Sequence, residues 1–224
     1  MQKLYFYLTA CLLFIICTTT TFATEPPNLQ DAKTTVMKYH DSGEYTQDIN
    51  HVVNNAITYL SARVTTNNAA TNKKPAIVLD IDDTTLSNYE RLKALNFGGD
   101  LALWHANKIP ATDPAIPALL VLYNLAVKHN VAIFFVTGRH PYEQSITEQN
   151  LKNVGYTSWT NIYFKPENYS ASHKNAAAFK TAMRKQITEN GYDIIINIGD
   201  QESDLVGGYA DKTFKVPNPF YRIL

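Results

Sequence analysis

Residues 76–84 read Ala-Ile-Val-Leu-Asp-Ile-Asp-Asp-Thr, and the reading of the fold starts there. Ala76 to Leu79 form an apolar run without polar alternation, the mark of a strand covered on both faces. The run stops at Asp80, with Asp82 and Asp83 close behind. A buried strand that hands carboxylates to solvent at its carboxyl end suits a parallel, doubly wound sheet, whose ligands gather on that rim.

Working outward, further strands are expected at 131–136 (VAIFFV), 161–164 (NIYF), 193–198 (DIIINI) and 213–216. Helical patterns at 117–129, 142–153 and 173–189 separate them, so strands alternate with helices in an α/β fold with right-handed crossovers. The stretch 87–130 is longer than one crossover helix needs. Its first part, about 87–117, reads as a small helical cap containing Tyr89, Phe97 and Trp104. Upstream, Ile49, Val52, Val53, Ala56, Ile57, Leu60 and Val64 recur at helical spacing and predict a helix over 47–64. A shorter helix around 29–40 is set off from it by Asp41-Ser42-Gly43. The polar, Asn-rich residues 65–75 read as a linker. The chain thus divides into 1–23, an N-terminal helical segment with linker at 24–75, and a core at 76–224.

Lys3 precedes the compact apolar run Leu8–Cys17, and Thr21-Phe22-Ala23 offers small residues at a cleavage site. The run is too short for a membrane span, so 1–23 reads as a secretory signal cut after Ala23, giving a secreted or periplasmic protein with no membrane attachment once cleaved. Cys11 and Cys17, the chain's two cysteines, fall inside it. The mature chain then has no thiol-based metal site and no disulfide. With 20 basic and 20 acidic residues the charge is balanced, which speaks against a nucleic-acid polymer as partner. The six histidines show no ligand spacing.

The rim carries the chemistry. Asp80, Asp82, Asp83 and Thr84 follow the first strand, Thr137, Gly138 and Arg139 the second, and Asp200 and Asp204 the fourth. Lys180 lies on the helix that feeds the fourth strand. Carboxylates crowded in this way raise each other's pKa unless a cation is present. An all-oxygen donor set selects a hard ion, with Mg2+ the natural tenant. A hydroxyl and an ammonium beside such an ion make a receptor for phosphate.

The series Asp80-x-Asp82-x-Thr84, Thr137 after an apolar strand, helical Lys180 and Gly199-Asp200-x-x-x-Asp204 resembles the four motifs of the haloacid dehalogenase (HAD) phosphatases. Phe179-Lys180-Thr181-x-x-Arg184, Gly199-Asp200-Gln201-x-Ser203-Asp204-Leu205 and Phe214-Lys215-Val216-Pro217-Asn218-Pro219 look like subfamily IIIB, the class B-like acid phosphatases and plant vegetative storage proteins. The resemblance implies Asp80 as nucleophile, forming an aspartyl-phosphate on the way to hydrolysis of a small phosphomonoester. It implies Asp82 as general acid and base, and Thr137, Gly138 and Lys180 as phosphate ligands. Mg2+ would be held by Asp80, the Asp82 carbonyl and Asp200, with Asp204 and Thr84 supporting from behind.

Blander roles compete. Asp82 or Asp83 alone could cap a helix. Arg139 could touch substrate or pair with a carboxylate. Tyr89 and Trp104 could stack on a substrate ring or form the cap's own core. Crowding is expected to keep Asp82 protonated above its usual range, which points to an acidic pH optimum. The competing function from another class is a storage or phosphate-ligand-binding protein without catalysis. Oligomeric state is left open by the sequence.

Overall fold

The structure, a computed structural model, describes residues 25–65, 73–98, 111–167 and 176–223. Trp104, the expected signal and most of the linker lie outside the described residues. Two helices come first, α1 (Leu29–Asp41), capped by the Asn28 side chain accepting from Gln30 N at 2.8 Å, and α2 (Glu44–Thr65). Then follow β1 (Lys74–Leu79), α3 (Tyr89–Ala94), α4 (Pro117–Lys128) and β2 (Ala132–Thr137). A single turn of 3-10 helix leads into α5 (Gln144–Asn153). The chain continues through β3 (Asn161–Phe164), α6 (Ala176–Glu189), β4 (Tyr192–Gly199), α7 (Glu202–Leu205) and β5 (Lys212–Lys215).

The five strands form one all-parallel sheet in the order β3-β2-β1-β4-β5. Strands 1 to 3 run outward on one side of β1, and β4 and β5 on the other. The connections therefore reverse between β1 and β4, which opens a crevice at their carboxyl ends. Side chains alternate across the sheet. Ile77, Leu79, Ile133 and Phe135 pack with Tyr45, Ile49, Val53, Leu60, Leu119 and Leu122 in the larger core. Ala76, Val78, Phe134 and Val136 pack with Phe179 and Ile187 of α6 on the opposite face. The α1–α2 hairpin is thus part of one helical layer and shares the sheet's main core.

The cap stem is closed by an antiparallel bridge between Leu86 and Ala115. Of the expected cap the structure describes α3 and the two flanks of the stem. α3 is tied down by aromatic packing: Tyr89 stacks on His40 and lies near Phe97 and Phe220. Among the described residues no helix is long and apolar enough to cross a membrane.

Candidate active site

The site is built from the loops at the carboxyl ends of β1, β2 and β4. After β1 the chain turns tightly, with Thr85 N and Leu86 N both donating to Ile81 O at 2.9 Å. Asp83 takes a left-handed backbone (φ 53°) within that turn. The Asp80 side chain is thereby left facing the crevice, and Thr85 Oγ1 holds the Asp80 carbonyl at 2.5 Å.

Asp80 meets Lys180 from α6, whose ammonium donates both to Asp80 Oδ1 and, at 2.6 Å, to Asp204 Oδ1. The remaining oxygen of Asp204 accepts from Gln201 N at 2.8 Å, closing the first turn of α7. Gly199 makes this approach feasible, because any Cβ there would overlap the Asp204 side chain. Asp200 is equally well held: Thr84 Oγ1 donates to its Oδ1 at 3.0 Å, and Gln201 Nε2 and Asn218 Nδ2 each donate to its Oδ2 at 2.6 Å. Asp80, Asp200 and Asp204 each present an oxygen within 4.8 Å of the others, and all three are buried. Three buried carboxylates with no nitrogen or sulfur donor fit a hard divalent cation.

The electrostatics split this rim in two. Burial pushes Asp80 well above the usual carboxylate range; Lys180 opposes the shift, while Asp204, Asp200 and Asp82 add to it. Burial and the Asp204 charge likewise raise Asp200, against the pull of Asn218 and Gln201. Burial would lower Lys180, but Asp204 and Asp80 outweigh it and keep the ammonium charged.

Asp82 behaves differently. Arg139, 4% exposed, grips it with Nε at 3.1 Å from Oδ2 and Nη2 at 2.8 Å from Oδ1. Asn88 Nδ2 adds a donor at 2.9 Å. Burial would raise this carboxyl, yet the Arg139 charge and hydrogen bonds, with help from Asn88 and Arg91, hold it at about 2. The expectation that crowding keeps Asp82 protonated is therefore corrected. A neighbouring guanidinium overrides the carboxylates. Asp83, with no such partner, rises to about 7 through burial and the Asp200 charge.

Thr137 ends β2, fully buried, and its hydroxyl accepts from Arg139 N at 3.1 Å; Gly138 follows half-buried on the same turn. Arg139 is turned inward, to Asp82 and to Thr147 Oγ1 at 3.1 Å. Tyr89 is 1% exposed, and its hydroxyl donates to Asp41 Oδ1 at 2.7 Å, away from the rim.

Several participants had no sequence signal of their own. Asp113, from the return limb of the cap, accepts from Arg91 at 2.6 Å and lies 3.6 Å from Arg139. Asn88 bridges Asp82 and Asp83. Tyr221 reaches Asp83 with its hydroxyl. Asn218 could have been suspected from the Pro-Asn-Pro tail, and Tyr221 as an aromatic near the C-terminus that fits either a substrate or a core role; Asp113 and Asn88 could not.

Comparison with known proteins identifies the family. A family model described as HAD superfamily, subfamily IIIB (Acid phosphatase) matches residues 1–224. The Stem 28 kDa glycoprotein of Glycine max is 38% identical over 155 residues, covering 67% of this chain and 61% of that protein. A Stem 31 kDa glycoprotein of the same plant is matched over 52% of its length, so the chain spans between half and two thirds of these relatives. Acid phosphatase 1 of Solanum lycopersicum is 30% identical over 223 residues, 93% of this chain and 84% of that one. The class C acid phosphatase from Bacillus anthracis has a similar fold, with TM-score 0.70, 22% identity, and coverage of 87% of this chain and 86% of that one.

Proposed function

The chain belongs to the acid phosphatase family of HAD subfamily IIIB, and from that premise we propose that it hydrolyses small phosphomonoesters through an aspartyl-phosphate on Asp80. The observation that carries this reading is the convergence of Asp80, Asp200 and Asp204 on one point, with Lys180 beside Asp80. A carboxylate approaching a phosphate meets repulsion, and Lys180 offsets it while binding a non-bridging oxygen. The Thr137 hydroxyl and Gly138 amide supply further donors to the equatorial oxygens, where charge spreads during transfer.

Asp80, Asp200 and the Asp82 carbonyl are the proposed ligands of Mg2+, with Asp204 and Thr84 orienting them. When bound, the ion neutralises charge on the phosphoryl oxygens. In-line attack by the Asp80 carboxylate forms a P–O bond as the ester P–O bond breaks, and the leaving alkoxide takes the Asp82 proton. Water then cleaves the acyl phosphate, giving its proton to Asp82 and freeing Asp80. Since Arg139 holds Asp82 ionised in this arrangement, the acid role requires that grip to loosen when substrate arrives. Export, with cleavage after Ala23, is proposed alongside.

The test is a panel of nucleotides, sugar phosphates and aryl phosphates with the purified protein. Turnover that EDTA stops and Mg2+ restores, and that Asp80→Asn abolishes, is expected. The wild-type protein failing to turn over any ester with Mg2+ present would favour the storage reading, which the likeness to Vegetative storage protein 1 of Arabidopsis thaliana (30% identical over 150 residues, 65% of this chain and 54% of that one) keeps in view.

A further inference from the structure

Among the described residues Arg184 is the largest side chain that the fold encloses completely, and the proposed chemistry gives it no task. A buried guanidinium is costly unless its donors are all used. No carboxylate forms a salt bridge with it among the described residues. Its partners are backbone carbonyls: Nη1 donates to Asp204 O at 2.6 Å, Nε to Gly208 O at 2.9 Å, and Nη2 to Val206 O. Nη2 also reaches Thr181 Oγ1 at 3.3 Å.

The segment it grips is shaped for that grip. Gly207, Gly208 and Tyr209 are consecutive left-handed residues, with φ of 91°, 78° and 69°. Such a run turns carbonyls inward, at a conformational cost that is largest for the non-glycine Tyr209. Gly207 lies so close to Thr181 that a Cβ would overlap its side chain, and Thr181 Oγ1 donates to Val206 O at 3.0 Å. Asn197 Nδ2 adds a second donor to the Asp204 carbonyl at 2.9 Å.

Lys180 and Arg184 are one turn apart on α6 and so point from the same face. The first takes the Asp204 carboxylate and the second its main chain. We infer that Arg184 is a positioning residue, fixing the Asp204 backbone so that its carboxylate aligns Lys180 against Asp80 and orients the carboxylates of the cation site. The phosphatase reading is needed here for the turnover readout alone.

The experiment compares wild type with Arg184→Lys, which keeps a charge but not the three-carbonyl fork, and with Thr181→Ala, which removes one strand of the same clamp. Mg2+ affinity is measured by calorimetry, kcat and KM with an aryl phosphate, and folding by far-UV circular dichroism. For Arg184→Lys the expected result is Mg2+ affinity and kcat each lower by about 10- to 100-fold, the usual range for partners behind metal ligands. KM should change far less, since Thr137 and Gly138 are untouched. Thr181→Ala should move both quantities the same way by a smaller factor. Folded Arg184→Lys with wild-type Mg2+ affinity and kcat overturns the inference. If that variant does not fold, wild-type values for Thr181→Ala overturn it instead. Should the wild-type protein prove inactive on every ester, the calorimetric comparison still decides the role of Arg184.

Discussion

Asp80 and Asp82 are two residues apart on one loop, yet the fold treats them in opposite ways. On the Asp80 side, three carboxylates (Asp80, Asp200, Asp204) surround a single ammonium, Lys180. On the Asp82 side, two carboxylates, Asp82 and Asp113, face two guanidinium groups, Arg139 and Arg91. The first set is short of positive charge and its acids rise. In the second, Asp82 is held at about 2 despite its burial, while burial still raises Asp113 against the pull of both guanidinium groups. Burial alone thus does not assign roles here: the guanidinium gripped directly by Asp82 overrides it, as the Lys180 ammonium does not for Asp80. The first set has the donors for a divalent cation, whereas the second carries its counter-charge in Arg139 and Arg91.

Three changes would break or sharpen this contrast. The largest effect is expected from Lys180→Met, which removes the ammonium shared by Asp80 and Asp204. Turnover of an aryl phosphate should fall by about 100-fold or more, and a variant with wild-type kcat would show that the ammonium is not what balances Asp80. Next comes Arg139→Gln on the other side. Freed from its guanidinium, Asp82 should titrate about one to two units higher, nearer its ordinary value, and the alkaline limb of the pH–rate profile, where the general acid loses its proton, should move up with it. An unmoved limb would mean that another group sets it.

The smallest effect concerns Asp83, raised from 3.8 to about 7. A carboxyl whose folded pKa is raised favours the folded state fully below its ordinary value and loses that contribution as pH climbs through the folded value. In EDTA, the melting temperature should therefore fall between pH 4 and pH 7. Asp83→Asn should reduce that fall by up to about 8–16 °C, since about three units correspond to about 4 kcal/mol and each kcal/mol moves the melting temperature by about 2–4 °C in a chain of this size. An undiminished fall in the variant would assign the pH dependence to the other raised carboxyls, Asp80, Asp113 and Asp200.

Much of this molecule could be read in the sequence because apolar runs report burial directly. All five strands lie within two residues of where the runs place them, and the helices of the core follow from periodicity. The rim positions of Asp80, Thr137 and Asp200 follow from where those strands stop. What could not be read is which charge answers which. Arg139 admits either partner by sequence, and its choice of Asp82 depends on Asn88, Thr147 and Asp113 arriving from three different segments. The place of the N-terminal hairpin was equally hidden. An amphipathic helix announces that it has a partner without naming it, and α2 proves to pack on the sheet itself. Tyr89 illustrates the limit at residue scale, since an aromatic side chain near a site reads the same whether it faces ligand or core.

The tail that follows β5 carries a temporal consequence. Asn218 holds Asp200, Tyr221 reaches Asp83, and Gln201 Oε1 accepts from Ile223 N at 3.0 Å. During synthesis Asp80 leaves the ribosome long before Lys180, Asp200 and these tail residues, so the nascent chain carries an acidic loop whose counter-charge has yet to be made. Assembly of the pocket waits on contacts between segments far apart in the chain, which close slowly. The pocket is therefore completed late, at one step, rather than piece by piece as the polypeptide grows.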